Sequence, residues 1–161
     1  MKRFRERAAA GLAAGDAFTL TRRFSEKDID DFALISRDYN PVHFDTPYAA
    51  LRGFKKPVSQ GLLTASLMTE IGGQIGWLAA EMMLRFKRPV YAGDTITCDW
   101  VITEFNDQGW GRAVVTMRNA QGEVVIEAET TGIPPGLKER QRLFEMLREG
   151  DPTNIAARIE R

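Results

Sequence analysis

Residues 57–80 of this chain, PVSQGLLTASLMTEIGGQIGWLAA, hold a single ionisable side chain, Glu70. A helix that is apolar around almost its whole circumference has no face to give to water, so other elements must enclose it. Gly72, Gly73 and Gly76 lower its helix propensity but let a second backbone come close. The run predicts one long central helix, and it obliges the rest of the chain to supply a wrapper.

Strands can do this. Residues 82–91, 94–105, 110–120 and 123–133 read as four strands. They are separated by Ala92-Gly93-Asp94, Asn106-Asp107-Gln108-Gly109 and Asn119-Ala120-Gln121-Gly122, turn chemistry suited to hairpins. The run from Thr95 to Thr103 alternates well. Val114 to Met117 and Val124 to Ala128 alternate less cleanly, as strands partly covered on both faces would. Residues 16–24 form an earlier strand, with Phe18, Leu20 and Arg22 on one side. Pro134-Pro135 ends the last strand, and residues 136–149 form an outer amphipathic helix through Leu137, Leu143, Phe144 and Leu147. The tail from Asp151 is expected to be mobile or a second short helix. The pattern is α+β: one antiparallel sheet rolled around one apolar helix. Such a sheet leaves a free edge, and pairing two edges across a two-fold axis removes it, so a dimer is expected.

The length of 161 residues suits a single domain over 1–161, with 1–14 as an N-terminal extension and 136–161 as a C-terminal helical tail. The 22 basic and 22 acidic residues cancel, which argues against a nucleic-acid partner. The single cysteine, Cys98, lies in a strand and reads as a small core residue. The basic start followed by an Ala/Gly stretch resembles a signal peptide, but the apolar part is short, glycine-broken and carries Glu6. No run is long enough to span a bilayer. A cytoplasmic protein with no membrane partner is expected.

The stretch Ser36-Arg-Asp-Tyr-Asn-Pro-Val-His-Phe-Asp45 carries the chemistry. Ser25, with Asp28 three residues on, opens a short helix whose apolar stripe is Ile29, Phe32, Ala33 and Ile35 or Ser36. Pro41 keeps Asn40 out of helical conformation, so the helix ends near Arg37 to Tyr39; a second short helix follows at about Pro47 to Leu51. His43, the only histidine, lies five residues after Asp38 across that turn. A carboxylate and an imidazole on one water can divide base and acid work at neutral pH. The bland alternative is a lone histidine that satisfies one hydrogen bond. A metal is not expected, because three or four ligands do not converge. Phosphate-loop glycine spacings and a Gly-x-Ser-x-Gly elbow are absent as well.

The second stretch is Val58-Ser-Gln-Gly-Leu62, where the apolar helix begins. Unpaired N–H groups and the helix dipole there suit a thioester oxygen gaining negative charge. Gly61 would let a substrate close to the backbone, or it merely permits a tight turn.

These residues carry a resemblance. Asp38-x-Asn-Pro-Val-His43 with Ala49, Gly61-Leu-Leu-Thr-Ala-Ser66, and Arg85-Phe-Lys-Arg-Pro-Val-Tyr-Ala-Gly-Asp-Thr-Ile96 resemble, in order, the motifs of MaoC-like (R)-specific enoyl-CoA hydratases, over roughly residues 15 to 133. The resemblance implies a hot-dog fold, a homodimer or higher oligomer with sites near the interface, and reversible syn hydration of a trans-2-enoyl-CoA to the (R)-3-hydroxyacyl-CoA. Coenzyme A would be part of the substrate, and no separate cofactor is implied. Asp38 and His43 would be catalytic, Asn40 would orient the loop, Gly61 N–H would bind the thioester oxygen, and Ser66 would support the site. Arg37 stands where the family often has glycine, and Gln60 where it often has histidine. Arg37, Lys55, Lys56, Arg85, Lys87 and Arg88 are candidates for the coenzyme phosphates, or form an ordinary solvated face. The competing readings are an acyl-CoA thioesterase, a non-catalytic acyl-CoA-binding subunit, and a subunit supporting a separate catalytic partner.

Overall fold

The computed structural model describes residues 2–154, with side chains from Arg3 onward. Five strands form one antiparallel sheet: β1 (Ala17–Arg23), β2 (Leu78–Phe86), β3 (Thr95–Phe105), β4 (Gly111–Asn119) and β5 (Val124–Ile133), in the order β1-β3-β4-β5-β2. The expected wrapping is present. Ile96, Cys98, Trp100 and Ile102 of β3, Ala113, Val115 and Met117 of β4, and Ile126 and Ala128 of β5 are buried together with Leu63, Leu67, Met68, Ile71 and Ile75 of the central helix α4 (Gly61–Ile75). Burying each larger side chain contributes roughly 1.5–3 kcal/mol. Val101 and Val114, on the opposite face of the sheet, are exposed. The weak hydropathy alternation of β4 therefore reflects an apolar residue turned to solvent, and not cover on both faces.

The apolar run is not one helix from 57 to 80. Gly76 adopts φ 68°, a left-handed cap that closes α4, and its N–H bonds Gly72 O. Trp77 then turns the chain and packs edge-on against Trp100, and β2 starts at Leu78 instead of residue 82. Gly76, expected to serve close packing, is by its conformation the helix stop.

The helix α2 (Glu26–Ser36) starts as expected. Asp28 N–H bonds Ser25 Oγ, and Asp28 accepts from Ser25 N–H in return. Its buried face is Ile29 and Ala33, with Phe32 against the core, while Ile35 and Ser36 are exposed. The short helix α3 (Thr46–Leu51) has proline in its first turn.

The N-terminal extension is structured. The helix α1 (Lys2–Ala10) packs against the outer helix α5 (Leu137–Arg148) and onto the core through Phe4 and Ala8. Buried Arg5 donates to Asp151 Oδ1 (2.9 Å), Thr153 Oγ1 (2.8 Å) and Gly73 O (3.3 Å), and so ties both ends of the described chain to α4. Residues 151–154 form a turn. The expected tail from 155 to 161 lies outside the described residues. Among the described residues, no helix is long and apolar enough to cross a membrane.

Cys98 is wholly buried, and burial, with Asp99 and Glu70 adding to it, pushes its thiol up to about 12. The thiolate is the reactive form. The folded protein at pH 8 is therefore expected to resist a disulfide-exchange reagent and to titrate one thiol only in denaturant. Rapid labelling without denaturant would contradict this placement.

Candidate active site

Between α2 and α3 the chain is held in one conformation by its own polar side chains. Ser36 Oγ donates to Phe32 O and accepts from Asp38 N–H (3.2 Å). Asp38 Oδ1 accepts from Asn40 N–H (3.3 Å), and Asn40 Oδ1 accepts from Val42 N–H (3.2 Å). Asn40 is thus the cap of a 3₁₀ turn, Pro41–His43, and its φ of −56° with ψ of 124° is not helical. This chain of caps sets the direction of Asp38 and His43.

His43 Nδ1 lies 2.7 Å from Val58 O. A carbonyl only accepts, so Nδ1 carries the proton, and in the neutral ring Nε2 is left with a lone pair. Nε2 faces Asp38 Oδ2 at 3.5 Å. The imidazole is nearly enclosed, with 10% of its side chain exposed, whereas Asp38 is 45% exposed. The pair therefore presents a fixed nitrogen inside and a solvated carboxylate outside.

His43 and Asn40 line a pocket of about 360 Å³ whose other walls include Gly61 and Thr64 of α4, Phe86 of β2, and Tyr48 and Arg52 at α3. The first turn of α4 opens onto it, and no side chain caps that turn. The space before Gly61 is closely fitted: a Cβ there would lie 2.6 Å from Phe86 Cε1. A smaller recess on the other side of His43 is bounded by Ile29, Phe44 and Lys56.

Of the basic candidates only Arg88 reaches the pocket, and it is also held by Glu123 (3.3 Å) and Val124 O. Lys55 and Lys56 lie over the Tyr91 ring, and Lys56 also donates to Ala92 O. Lys87 pairs with Glu127 at 3.5 Å, and Arg85 faces Glu129 on the outer side of the sheet. Ser66 is not brought to the pocket: its hydroxyl is turned back onto Leu63 O (2.6 Å) of its own helix. Gln60 is buried, and its Nε2 donates to Ile29 O, pinning α2 to the start of α4.

Arg52 and Tyr48 were not anticipated. They are four residues apart at α3 and so share one face, a spacing that could have linked them. Arg52 has no ion-pair partner among the described residues, which leaves it the freer cation of the pocket. No group of three or more potential metal ligands exists among the described residues.

The MaoC like domain matches residues 10–125. An (R)-specific enoyl-CoA hydratase of Rhodospirillum rubrum is 34% identical over 131 residues, covering 77% of this chain and 89% of that protein. A mitochondrial 3-hydroxyacyl-[acyl-carrier-protein] dehydratase of Arabidopsis thaliana is 32% identical over 144 residues, covering 81% and 82%. Among solved structures, the (R)-hydratase from A. caviae involved in PHA biosynthesis superposes with a TM-score of 0.72 at 28% identity, over 78% of this chain and 98% of that one.

Arg37 caps α2 with φ 62° and ψ 19°, the left-handed conformation that glycine adopts freely. The cost to an L-residue is about 1–2 kcal/mol, against about 0.5–1 kcal/mol of extra chain entropy that glycine loses on folding. Arg37→Gly is expected to stabilise the protein by about 0.5–1 kcal/mol, read as a higher denaturant midpoint. A lower midpoint would mean that the Arg37 side chain contributes more than its backbone costs.

Proposed function

The chain belongs to the MaoC-like family and has its hot-dog fold, and from that premise we propose that it adds water across the double bond of a trans-2-enoyl-CoA to give the (R)-3-hydroxyacyl-CoA, and runs the reverse dehydration. The observation that carries the reading is the fixed approach of His43 Nε2 to Asp38 Oδ2, beside the uncapped start of α4.

Water sits against Asp38 and His43. Asp38 takes a proton as the water oxygen attacks C3. His43, protonated on Nε2, delivers a proton to C2 from the same side, which gives syn addition. The thioester oxygen gathers negative charge at the Gly61 N–H and the positive end of α4. Asp38 then holds one proton more and His43 one fewer, and their 3.5 Å separation lets the proton return between them. Val58 O holds the Nδ1–H throughout, so Nε2 is the nitrogen that gives up and regains the proton. The chemistry calls for no cofactor, because coenzyme A is part of the substrate. Arg52 and Arg88, which line the pocket, would meet its phosphates.

The test is the loss of enoyl absorbance with crotonyl-CoA, read beside thiol release. The wild type is expected to consume the enoyl group without freeing thiol, and Asp38→Asn is expected to lower kcat by about 100- to 10,000-fold, the range for loss of a general base. Thiol release would favour a thioesterase. A wild type inert on crotonyl-CoA and on longer enoyl-CoAs would remove the hydratase reading.

The proposed working unit is a homodimer paired through β2. Among the described residues that strand pairs only with β5, and its Leu78, Met82, Met83 and Phe86 are exposed. Antiparallel pairing with a second copy about Met83 sets Glu81 opposite Arg85 twice. Such opposed charges contribute roughly 0.2–1 kcal/mol each, and like charges oppose pairing. Glu81→Arg is expected to weaken the dimer about 10-fold in sedimentation, which corresponds to ~1.4 kcal/mol, and adding Arg85→Glu is expected to restore it. A dimer indifferent to both changes must pair elsewhere.

A further inference from the structure

Three hydroxyls on α4 and their partners set up a contrast. Ser66 donates to Leu63 O at 2.6 Å, and Thr69 donates to Ser66 O at 2.8 Å, so both are satisfied by a carbonyl three residues back on their own helix. Thr64 Oγ1 has no such bond. Its residue is 1% exposed, its oxygen is buried without a hydrogen-bond partner among the described residues, and it lines the pocket that holds His43 and Gly61.

A buried hydroxyl that leaves its bonding capacity unused carries a desolvation penalty, so a native fold that keeps one calls for an explanation. Position supplies it. Gly61 and Thr64 are three apart, hence on one face of the helix, and helical side chains lean toward the N-terminus, over the preceding turn. The Thr64 side chain therefore lies over the turn that carries the Gly61 N–H, at the end of α4 where the macrodipole is positive. Asp38 and its partner loop form a separate element, and neither Asp38 nor Asn40 hydrogen-bonds Thr64.

We infer that Thr64 is the second donor to the thioester oxygen. An enolate oxygen can accept two hydrogen bonds; the main-chain N–H of Gly61 supplies one and Thr64 Oγ1–H the other. This deepens the hydratase reading and rests on it. The hydroxyl strengthens its bond as charge moves onto the oxygen, so its contribution falls on kcat more than on KM.

Steady-state kinetics on crotonyl-CoA with Thr64→Val and Thr64→Ser test this. Valine keeps the shape and removes the donor, whereas serine keeps the donor. The expected result is a kcat lower by about 100-fold in Thr64→Val, as for loss of one oxyanion donor, with KM changed less than about 2-fold and the melting temperature unchanged. Thr64→Ser is expected to recover most of kcat. The inference is overturned if Thr64→Val turns over like the wild type. It is also overturned if the valine and serine variants lose kcat, KM and melting temperature together, the mark of a packing role. A wild type inert on every enoyl-CoA would defeat the hydratase reading itself, an outcome distinct from an active wild type with an indifferent valine variant.

Discussion

Enclosure of α4 is the constraint on which the other elements depend. Its one ionisable residue, Glu70, lies 3.9 Å from Arg22 of β1, and apart from Gln74 the rest of the helix is apolar or small. Five strands are curled to meet it, and the strand that returns beside it, β2, is left as an edge. The same helix cannot be capped from within at its start, because the chain arrives there from an irregular loop with Gln60 turned away to Ile29 O. Enclosure thus leaves a set of polar N–H groups opening onto a pocket that also carries His43, Asn40, Arg52 and Arg88. The fold and the electrostatics of the site have one origin.

The loop that bears Asp38 and His43 is stabilised separately and locally. Its side-chain bonds span two to four residues, from Ser36, Asp38 and Asn40 to nearby backbone, and two longer connections, His43 Nδ1 to Val58 O and Val58 N–H to Val42 O, reach further. The first orients the imidazole, and both join the loop to the irregular entry into α4. Arg37 concludes α2 at a backbone angle unfavourable to it, and so directs the next residue, Asp38, out of the helix.

Local features were legible in the sequence. The Ser25–Asp28 box, the proline-led α3, the turns between strands and the Asp38–His43 spacing all depend on residues a few positions apart, and each has a short-range cause. The end of α4 was also encoded, in Gly76, but its left-handed cap cannot be told from a packing glycine until Trp77 is seen turning back. Pocket walls that meet from distant elements were not legible. Phe86 and Arg52 are drawn together by the antiparallel return of β2 and the placing of α3, and the basic residues expected to meet the coenzyme phosphates lie mostly on Tyr91 or on carboxylates. The role of α1 was missed for the same reason, since its partner lies some 130 residues on.

That last separation matters for how the polypeptide is made. Phe4 and Ala8 can be sheltered by the core once the strands exist, but Arg5 and the carbonyls of Ala9 and Ala10 wait for Arg140 and Asp151. At ribosomal speeds of about 5–20 residues per second, the interval is roughly 7–30 s. Throughout it the amphipathic first helix remains attached to a nascent chain with no docking groove, at the stage when chaperones bind. The α1–α5 clasp can then close only once Arg140 and Asp151 have been made, well after the helix it secures.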